Sequence, residues 1–406
     1  MIGAGGKNGA DRVQVVIAGA GPVGCVAATY LAQRGVDVIL AEAGPDCAQD
    51  MRASTFHAPT LEMLDTLGFT DRLIALGLKA PIYHWRDRRS GEILEFDTTE
   101  IADATPFPFR VQCEQYHLAR MMADALEALP CAQVLFNHRL CQFEQDDIGV
   151  TVSFETPTAI RTVRAEYLIG ADGASSIVRK WLGVDFYGFT YPEKFLCLTT
   201  DTPLEEHLPD LAPVNYVSDP DEWLVLLRVP TLWRVLVPAN DDDDVSLRSD
   251  AKKNTVFDGL TGDGAAVETF HRTIYRVHQR VAKQFQVGRA FLVGDAAHLN
   301  NPLGGFGMNS GIHDAFNLCE KLVEVLNGRA GVTSLERYDR QRRTVTHDFT
   351  QQQTIQNMAL MRGGQGEAHR LQHERMAMLA GDAAQRRTYL LRQSMITSLA
   401  DAAAIP

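Results

Sequence analysis

Residues 288–318 read GRAFLVGDAAHLNNPLGGFGMNSGIHDAFNL. The short apolar run before Gly294 is long enough for a buried strand and too short for a helix. It ends at Gly294 and Asp295, which places a carboxylate at the carboxyl end of a strand, where open α/β sheets bind ligands. A loop with Pro302 and three glycines follows, and from Met308 the spacing of apolar residues predicts a helix. The stretch therefore predicts a backbone that approaches a flat ligand closely, beside a helix N-terminus that stabilises negative charge.

A second ligand-binding pattern lies near the start of the chain. A strand-like run precedes Gly19, Gly21 and Gly24, and a helical segment and a second strand that ends at Glu42 follow. Glycines at this spacing permit a tight turn, a close approach to a pyrophosphate and close packing of helix on strand. Glu42 lies near the place expected for a carboxylate that bonds a ribose hydroxyl. The segment predicts a dinucleotide-binding unit, and both FAD and NAD(P) fit it.

The stretch from Gly294 to Ala315 resembles the flavin-contacting segment of single-component FAD-dependent aromatic hydroxylases, the para-hydroxybenzoate hydroxylase-like family. The family pattern is G-D-A-A-H, then proline, then G-G-x-G-x-N-x-G-x-x-D-A, and every fixed letter is present. The family usually has two prolines before the glycines, whereas this chain has Asn301 and then Pro302. The resemblance implies that Pro302 forms the flavin wall near the reacting centre.

Other segments between residues 13 and 345 also resemble the family. The family's second motif, D-G with an arginine seven positions on, recurs at residues 172–179 and implies contacts to FAD and to the nicotinamide donor. In the family, the arginine at residue 52 reaches the FAD phosphates, and the residue at Gln112 contacts the phosphate–ribityl region. The pattern and the resemblance together give these expected FAD contacts: Gly19, Gly21, Pro22, Val23, Gly24, Glu42, Ala43, Arg52, Ala53, Ser54, Gln112, Asp172, Gly173, Arg179, Gly294, Asp295, Pro302, Gly305, Gly307, Met308 and Asn309. Asp295 would hold the ribityl chain, and the amides at 308 and 309 the N1–C2=O edge of the flavin.

The resemblance implies an α/β fold in which a Rossmann-like FAD-binding domain carries an inserted β-sheet substrate domain and C-terminal helices. The expected boundaries are 1–80, 112–180 and 285–332 for the FAD-binding domain, 81–111 and 181–284 for the substrate-binding β domain, and 333–406 for the helices. Alternating strand-like runs support the β domain. Residues 269–285 are expected to return towards helix.

The resemblance also implies the chemistry. NADH or NADPH reduces a tightly bound FAD, O2 adds at the flavin C4a carbon, and the hydroperoxide passes one oxygen to an activated aromatic or heteroaromatic ring. Candidates for the group that activates the substrate are His57, Tyr191 and Tyr216, although a lone histidine is more often structural. Arg228 and Arg234 could anchor an anionic substrate as a bidentate fork, or could equally lie on the outer face of the sheet.

Composition bounds the class of protein. The chain has 406 residues, which suggests two domains and leaves room for a helical addition. A net charge of −12 argues against a nucleic-acid partner, since phosphates are bound by clustered lysine and arginine. Seven cysteines, odd in number and without a C-x-x-C pair, favour reduced thiols in a cytoplasm over disulfides or a metal site. Glycines and a proline interrupt the apolar stretch 13–32, so we predict no membrane segment. The resemblance implies a small aromatic or heteroaromatic substrate, and we expect a monomer or homodimer.

Three alternative functions remain open at this point. A flavin-dependent halogenase would share the fold, but no W-x-W-x-I-P string occurs, and Trp223 and Trp233 are ten positions apart. A quinone-biosynthesis hydroxylase at the membrane would share the motifs, although no basic or amphipathic anchor stands out. A non-catalytic protein that binds FAD for assembly or sensing would bind it tightly without substrate-stimulated NAD(P)H oxidation.

Overall fold

The computed structural model of the protein describes residues 11–49, 53–219, 221–239, 243–363 and 366–406. The strands are β1 (Asp11–Ala18), β2 (Val38–Ala41), β3 (Thr55–Phe56), β4 (Leu78–Ala80), β5 (Ile82–Asp87), β6 (Ile93–Asp97), β7 (Arg110–Gln112), β8 (Ala132–Leu135), β9 (Arg139–Asp146), β10 (Gly149–Glu155), β11 (Ile160–Gly170), β12 (Phe186–Thr200), β13 (Val214–Ser218), β14 (Leu224–Arg228), β15 (Trp233–Ala239), β16 (His271–Ala282), β17 (Gln286–Val287), β18 (Ala290–Leu292) and β19 (His298–Leu299). The α-helices are α1 (Pro22–Ala32), α2 (Ala58–Asp65), α3 (Thr70–Leu76), α4 (Gln115–Leu126), α5 (Ile177–Trp181), α6 (Asp244–Leu247), α7 (Asp250–Thr261), α8 (Phe306–Leu326), α9 (Glu336–Val345), α10 (Gln352–Arg362), α11 (Glu367–Gly381), α12 (Ala383–Gln393) and α13 (Ile396–Ala404). A π-helical turn at Thr346–Gln351 joins α9 to α10, and 3-10 turns lie at Thr98–Ile101, Leu204–Glu206, Gly294–Ala296 and Val332–Leu335.

The first sheet carries a parallel core in the order β18-β11-β1-β2-β8. Its central strand β1 is mostly apolar, as expected for a strand that helices cover. Helix α1 packs against both α4 and α8. Ala18 at the end of β1 lies opposite Gly170, and Gly170 lies opposite Leu292 of β18. The turns that follow these three strands therefore meet at one edge of the sheet, which confirms the predicted strand–helix–strand start and brings Gly19 and Gly294 together.

The second sheet has the order β19-β16-β12-β15-β14-β13-β5-β6. One face packs on α7 through a buried apolar cluster that includes Phe257, and the other packs on α10 through a cluster that includes Met358 and Met361. The small sheet has the order β3-β7-β4. Its residue Val111 belongs to the core cluster of the first sheet, and Arg110 lies against Tyr83 of β5 in the second. Strands β5 and β6 form an antiparallel pair at the end of this sheet.

The helix expected over residues 269–285 is wrong, because this segment forms the long strand β16. Its buried positions Val277, Gln279 and Val281 alternate with partly exposed ones, which is the period of a strand. Many of these alternating positions carry polar or charged side chains, so the alternating hydrophobic pattern that predicts a strand is weak. Pairing with β12 along most of its length fixes the extended form.

The C-terminal region is helical, as predicted. Helices α11 and α12 pack together and cover β6 and the 3-10 turn at Thr98–Ile101, and α13 returns to α9. The buried cluster beneath α11 and α12 contains Met376 and Leu390 with the aromatic residues Tyr83, Trp85 and Phe96. Within the ranges described above, every helix is too short or too polar to span a membrane.

Candidate functional site

The glycine turn after β1 is packed so closely that two of its glycines have no room for a side chain. A Cβ at Gly24 would lie 1.9 Å from the oxygen of Gly19, and a Cβ at Gly19 would lie 2.4 Å from the oxygen of Ala171. A Cβ at Gly21, in contrast, would meet no atom of the described residues within 4 Å. Gly21 directly precedes Pro22, the first residue of α1, so its backbone borders open space at a helix N-terminus. This is the geometry in which a pyrophosphate approaches the chain.

Glu42 follows β2 at the same edge of the sheet. Its two carboxylate oxygens accept hydrogen bonds from the backbone N–H groups of Ala20 at 2.8 Å and Gly44 at 2.9 Å. Ala43 beside it is exposed. A carboxylate oxygen accepts more than one hydrogen bond, so Glu42 is held in place and can still accept one from a ribose hydroxyl.

Gln112 presents an unused donor at the junction of the sheets. It is fully buried, and its Oε1 accepts a hydrogen bond from the Thr55 hydroxyl at 2.9 Å. Within the described ranges its Nε2 has no hydrogen-bond partner, which costs about 1–3 kcal/mol for a buried group. Backbone hydrogen bonds join Ala53 and Ser54 to the residues that lead into α4. Arg52, predicted to reach the FAD phosphates, lies outside the described residues.

The D-G motif after β11 joins two ligand-facing loops. Asp172 accepts hydrogen bonds from the Ser176 hydroxyl at 2.5 Å and from two backbone N–H groups of α5 at 2.7 and 3.0 Å. Gly173 has φ +75°, the left-handed region that favours glycine. The buried guanidinium of Arg179 donates to the carbonyl oxygen of Ala296 at 2.7 Å. Asp172 and Arg179 are therefore both engaged by the protein, and together they fix the loop after β11 against the loop after β18.

A buried ion cluster that the sequence analysis did not single out supports the turn at Gly294. Asp314 is fully buried and accepts hydrogen bonds from the Gly294 N–H at 3.1 Å, His298 Nε2 at 2.8 Å and Arg342 Nε at 2.7 Å. Burial alone would raise the pKa of Asp314, but His298 and Arg342 outweigh it and hold the pKa below its usual value. Asp295, next in the turn, is exposed at the sheet edge.

Helix α8 starts at the glycine-rich loop, two residues earlier than predicted. Gly305 precedes it with φ +71°. Gly307 and Met308 lie in its first turn, where the N–H groups have no acceptor inside the helix. Val23 of α1 packs against the Gly294 turn, because a Cβ at Gly294 would lie 3.1 Å from a Val23 methyl group. The packing of α1 and α8 thus holds the two ligand-facing helix N-termini in one place.

His57 lies behind the glycine loop. It is fully buried, and its Nε2 lies 2.7 Å from the carbonyl oxygen of Gly304, which can only accept, so Nε2 carries the proton. Its Nδ1 is then an acceptor, and it has no partner within the described ranges. The backbone N–H of His57 donates to the side chain of Asn309 at 3.0 Å. Burial, and then the charge of Arg110, lower the pKa of His57 well below its usual value, so the ring is neutral near pH 7.

The two candidate tyrosines differ in their relation to Pro302. Pro302 is exposed in the loop, and the preceding Asn301 is fully buried. The Asn301 side chain donates to the Tyr191 hydroxyl at 3.2 Å and to a backbone oxygen of α10 at 2.9 Å. Tyr216 instead lies edge-on to Tyr83, with ring centroids 6.2 Å apart. Tyr191 therefore contacts the Pro302 loop, and Tyr216 belongs to an aromatic group beside it.

The two candidate arginines do not form one fork. Arg228 pairs in register with Trp233, one position before Arg234, so the two side chains leave the sheet on opposite faces. Arg228 Nη2 lies 3.9 Å from Glu205 on the outer face. Arg234 is buried and donates to the Ser54 hydroxyl at 3.3 Å. Only Arg234 faces the ligand-binding edge, and Arg228 takes the outer position that the sequence left open.

The structure also brings together three possible metal ligands, where the sequence predicted no metal site. The ligand atoms of Cys113, Glu114 and His117 lie within 4.8 Å of one another. Burial raises the pKa of Cys113 to about 12, which disfavours the thiolate that a metal would need. All seven cysteines lie in the described ranges and are free thiols.

Comparison with known proteins identifies the family. Residues 12–353 match the family described as FAD binding domain. The chain belongs to this family. It is an FAD-binding enzyme of the single-component aromatic hydroxylase class, with the para-hydroxybenzoate hydroxylase-like fold, as the resemblance implied.

Similar proteins include monooxygenases of small aromatic compounds. The para-nitrophenol 4-monooxygenase of Pseudomonas sp. (strain WBC-3) is 32% identical over 384 residues, which cover 93% of this chain and 94% of the relative. The crystal structure of p-nitrophenol 4-monooxygenase from Pseudomonas putida DLL-E4 has a TM-score of 0.89 and 29% identity, covering 95% of this chain and 99% of that one. The flavin-dependent monooxygenase PieE, solved in complex with FAD and substrate, has a TM-score of 0.79 and 27% identity, covering 97% of this chain and 72% of that one.

The side chains at the sheet edge fit FAD. The open approach at Gly21 suits a pyrophosphate, and the fixed carboxylate of Glu42 suits a ribose. The Nε2 of Gln112, which has no partner among the described residues, offers a donor to an oxygen of the ligand. The first turn of α8 offers N–H groups to a negatively charged flavin edge.

Proposed function

We propose that this monooxygenase hydroxylates a small phenol-like or hydroxypyridine-like ring with electrons from NADH or NADPH and one oxygen atom of O2. The observation that carries the proposal is the position of the Pro302 loop. Asn301 joins it to Tyr191 of the second sheet, and Gly304 joins it to His57 beside the first. A ring on the aromatic side of this loop would face the N-terminus of α8, with the backbone of the loop between them.

Bound and reduced FAD would supply the chemistry, which is the activation of O2 for transfer to the ring. Gly21 would approach the pyrophosphate, Glu42 would bind the ribose, and Gln112 would donate to the phosphate–ribityl region. Asp295 would hold the ribityl chain. The first-turn amides at 307–309 would stabilise the negative N1–C2=O edge, since unpaired helix N–H groups and the dipole act there together.

Residues around the Pro302 loop would orient the ring and exclude water. We assign residues 1–80, 112–180 and 285–332 to FAD binding, and 81–111 and 181–284 to the substrate side. Pro302 would form the wall between ring and flavin, with Tyr191 held at that wall by Asn301. His57 would offer its neutral Nδ1 as an acceptor for a substrate proton, because its Nε2 is already bonded to Gly304. Exclusion of water would suit this chemistry, because water would divert the activated oxygen.

The test is NADH and NADPH consumption by the FAD-loaded protein with a panel of nitrophenols, hydroxybenzoates and hydroxypyridines, with hydrogen peroxide measured in parallel. Ring-stimulated oxidation with little peroxide, and a product that carries one atom of ¹⁸O from ¹⁸O2, is the expected result. Firm FAD binding without stimulation by any ring would overturn the proposal and favour a non-catalytic FAD protein. Chlorine in the product would favour a halogenase.

We also propose a cytoplasmic enzyme that is a monomer or homodimer. The odd, scattered free cysteines support a reducing compartment. Light scattering on the FAD-loaded protein distinguishes one chain from two, and fractionation of the producing cells tests the compartment. A mass above that of two chains, or recovery with the membranes, would contradict these assignments.

A further inference from the structure

Arg110 is a buried cation that the roles described above leave unused. It lies on β7 and is 2% exposed. Within the described ranges, its Nε and Nη1 have no hydrogen-bond partner. A guanidinium keeps its charge at any working pH, and a buried charge without a counter-ion costs several kcal/mol. A position of this kind calls for an anion from outside the protein chain.

An aromatic group that begins with Tyr83 lies beside this charge. The Arg110 guanidinium carbon lies 4.2 Å from the ring centroid of Tyr83. The rings of Tyr83 and Tyr389 each pack on Phe96, with centroids 5.2 and 5.0 Å away. Burial raises the pKa of Tyr83 and Tyr389, so both hydroxyls stay protonated donors near pH 7. Flat apolar walls beside a cation suit an aromatic ring with a negative substituent.

The strand register places this charge beside the Pro302 loop. Phe56 lies opposite Val111 in the β3–β7 pair, so the next residue, His57, comes level with Arg110. His57 in turn contacts Gly304 at 2.7 Å. One side chain therefore separates Arg110 from the glycine loop.

The same strand carries the residue that would bind FAD. Arg110 and Gln112 are two positions apart on β7, so both side chains project from one side, about 7 Å apart. Both present buried nitrogen atoms without partners in the described part of the chain. A ring anchored at Arg110 would therefore lie close enough to FAD for oxygen transfer.

We propose that Arg110 binds an oxyanion of the aromatic substrate, a phenolate or a ring carboxylate, and so selects anionic rings and fixes their orientation. This role rests on the proposed hydroxylase function. It is a positioning and specificity role, in which the guanidinium fork holds the substituent while the Pro302 loop faces the ring. The assignment adds a substrate contact at a residue that neither the glycine motifs nor the arginines of the second sheet provide.

The test compares Arg110→Met and Arg110→Lys with Arg139→Met, an exposed arginine paired with Glu155 on β9–β10. The probes are 4-nitrophenol, 4-hydroxybenzoate and 4-nitroanisole, which cannot ionise, and binding is followed by the change in flavin absorbance. We expect Arg110→Met to weaken binding of at least one anionic probe by about 30-fold or more, as for a truncated buried charge pair. 4-Nitroanisole binding and the Kd for FAD should change less than threefold. Arg139→Met should leave all of these values unchanged.

The spectrum of bound 4-nitrophenol gives a second readout, since its phenolate absorbs at longer wavelength than the phenol. If the phenolate is the bound form, Arg110→Lys should retain part of that band and Arg110→Met should lose it. If the carboxylate is the anchored group, only 4-hydroxybenzoate binding should respond to the variants. Equal losses for anionic and neutral probes, or no loss for either anionic probe, would overturn the inference. A weakened Kd for FAD with unchanged ring binding would overturn it in favour of a cofactor contact.

These binding measurements test the substrate contact at Arg110 independently of the proposed hydroxylase function. Binding is read without turnover, so it succeeds or fails independently of NAD(P)H oxidation. Removing an unpaired buried charge is not expected to destabilise the ligand-free protein. If Arg110→Met nevertheless fails to fold, the conservative Arg110→Lys variant must show the same selective loss, at smaller magnitude, or the inference fails.

Discussion

Replacement of Arg342 by leucine tests the ion cluster beneath the Gly294 turn. Arg342 and Asp314 are 1% and 0% exposed, and their side chains approach to 2.7 Å. Leucine keeps part of the volume and removes the charge, which leaves the Asp314 carboxylate with His298 and one backbone N–H. The change therefore breaks a buried ion pair from one side.

The expected cost follows from that burial. Breaking a buried pair by removing one partner costs about 3–5 kcal/mol, because the other charge stays in a low-dielectric interior. A typical domain has only about 5–15 kcal/mol of stability, so the loss is a large share of it. The control is Arg340→Leu on the same helix, since Arg340 is exposed and lies 3.9 Å from Glu336. That change should stay within about 0.5 kcal/mol.

The assay is urea unfolding of the FAD-free proteins, followed by circular dichroism, with an FAD titration of each. We expect a free energy of unfolding lower by about 3–5 kcal/mol for Arg342→Leu and weaker FAD binding, because Asp314 also bonds the Gly294 turn. Asp314→Asn added to Arg342→Leu should recover part of the loss by removing the stranded charge. A loss no larger than that of Arg340→Leu would refute the reasoning. Failure of Asp314→Asn to recover stability would show that lost packing, not charge, sets the cost.

Three further predictions follow from single positions. Gly21→Ala should keep the stability of the FAD-free protein, because its Cβ would meet no atom of the described residues within 4 Å. It should weaken FAD binding at least about tenfold, because the pyrophosphate approaches there. Gly381→Ala, equally open on α11, is the control, and equal FAD affinity in both variants would contradict the role. Burial lowers the pKa of His313 to about 3, so below about pH 6.5 the unfolded chain takes up a proton that the folded chain does not. The free energy of unfolding should therefore rise with pH from 4 to 6.5, and His313→Gln should reduce this rise by about 1.4 kcal/mol per pH unit in urea titrations. An unchanged pH dependence would refute the prediction. Arg234→Met should weaken substrate binding in a flavin-absorbance titration and Arg228→Met should not, because only Arg234 faces the site; equal effects would contradict this.

Local signals explain the parts of the fold that the sequence predicts. The segment from β1 to β2 is predictable because strand, glycine turn and helix are adjacent, and each has its own residue pattern. The positions of Gly19 and Gly24 are predictable because only glycine fits such contacts. Strand β16 is different, since its alternation is carried partly by the buried Gln279, whose side chain is hydrogen-bonded to the C-terminal helical segment and to the N–H of Asn301.

The candidate site likewise has one part that the sequence predicts and one part that it does not. Its FAD-facing positions follow from motifs, whereas the ion cluster depends on side chains that meet only in the folded chain. Asp314 lies inside the recognised motif, but its partner Arg342 is 28 residues further on, on another helix. Arg110 belongs to no motif, and the proposal for it rests on two guanidinium nitrogens that have no hydrogen-bond partner in the part of the chain that the structure describes. The lack of a partner for a charge is a property of the whole fold, and a single sequence does not contain it.

The ion cluster links stability to cofactor binding. Asp314 accepts a hydrogen bond from the Gly294 turn, and its helix α8 starts at the loop that would face the flavin. A change in the cluster should therefore affect both the Gly294 turn and the N-terminus of α8. Bound FAD stabilises the folded state by about 4 kcal/mol at a free concentration one thousand times its Kd. This is close to the loss expected for Arg342→Leu. A matching excess of FAD should therefore offset most of that loss, so the free energy of unfolding of Arg342→Leu with FAD should approach that of the FAD-free wild-type protein. A variant that unfolds equally with and without FAD would mean that the cluster supports the second sheet and not the FAD edge.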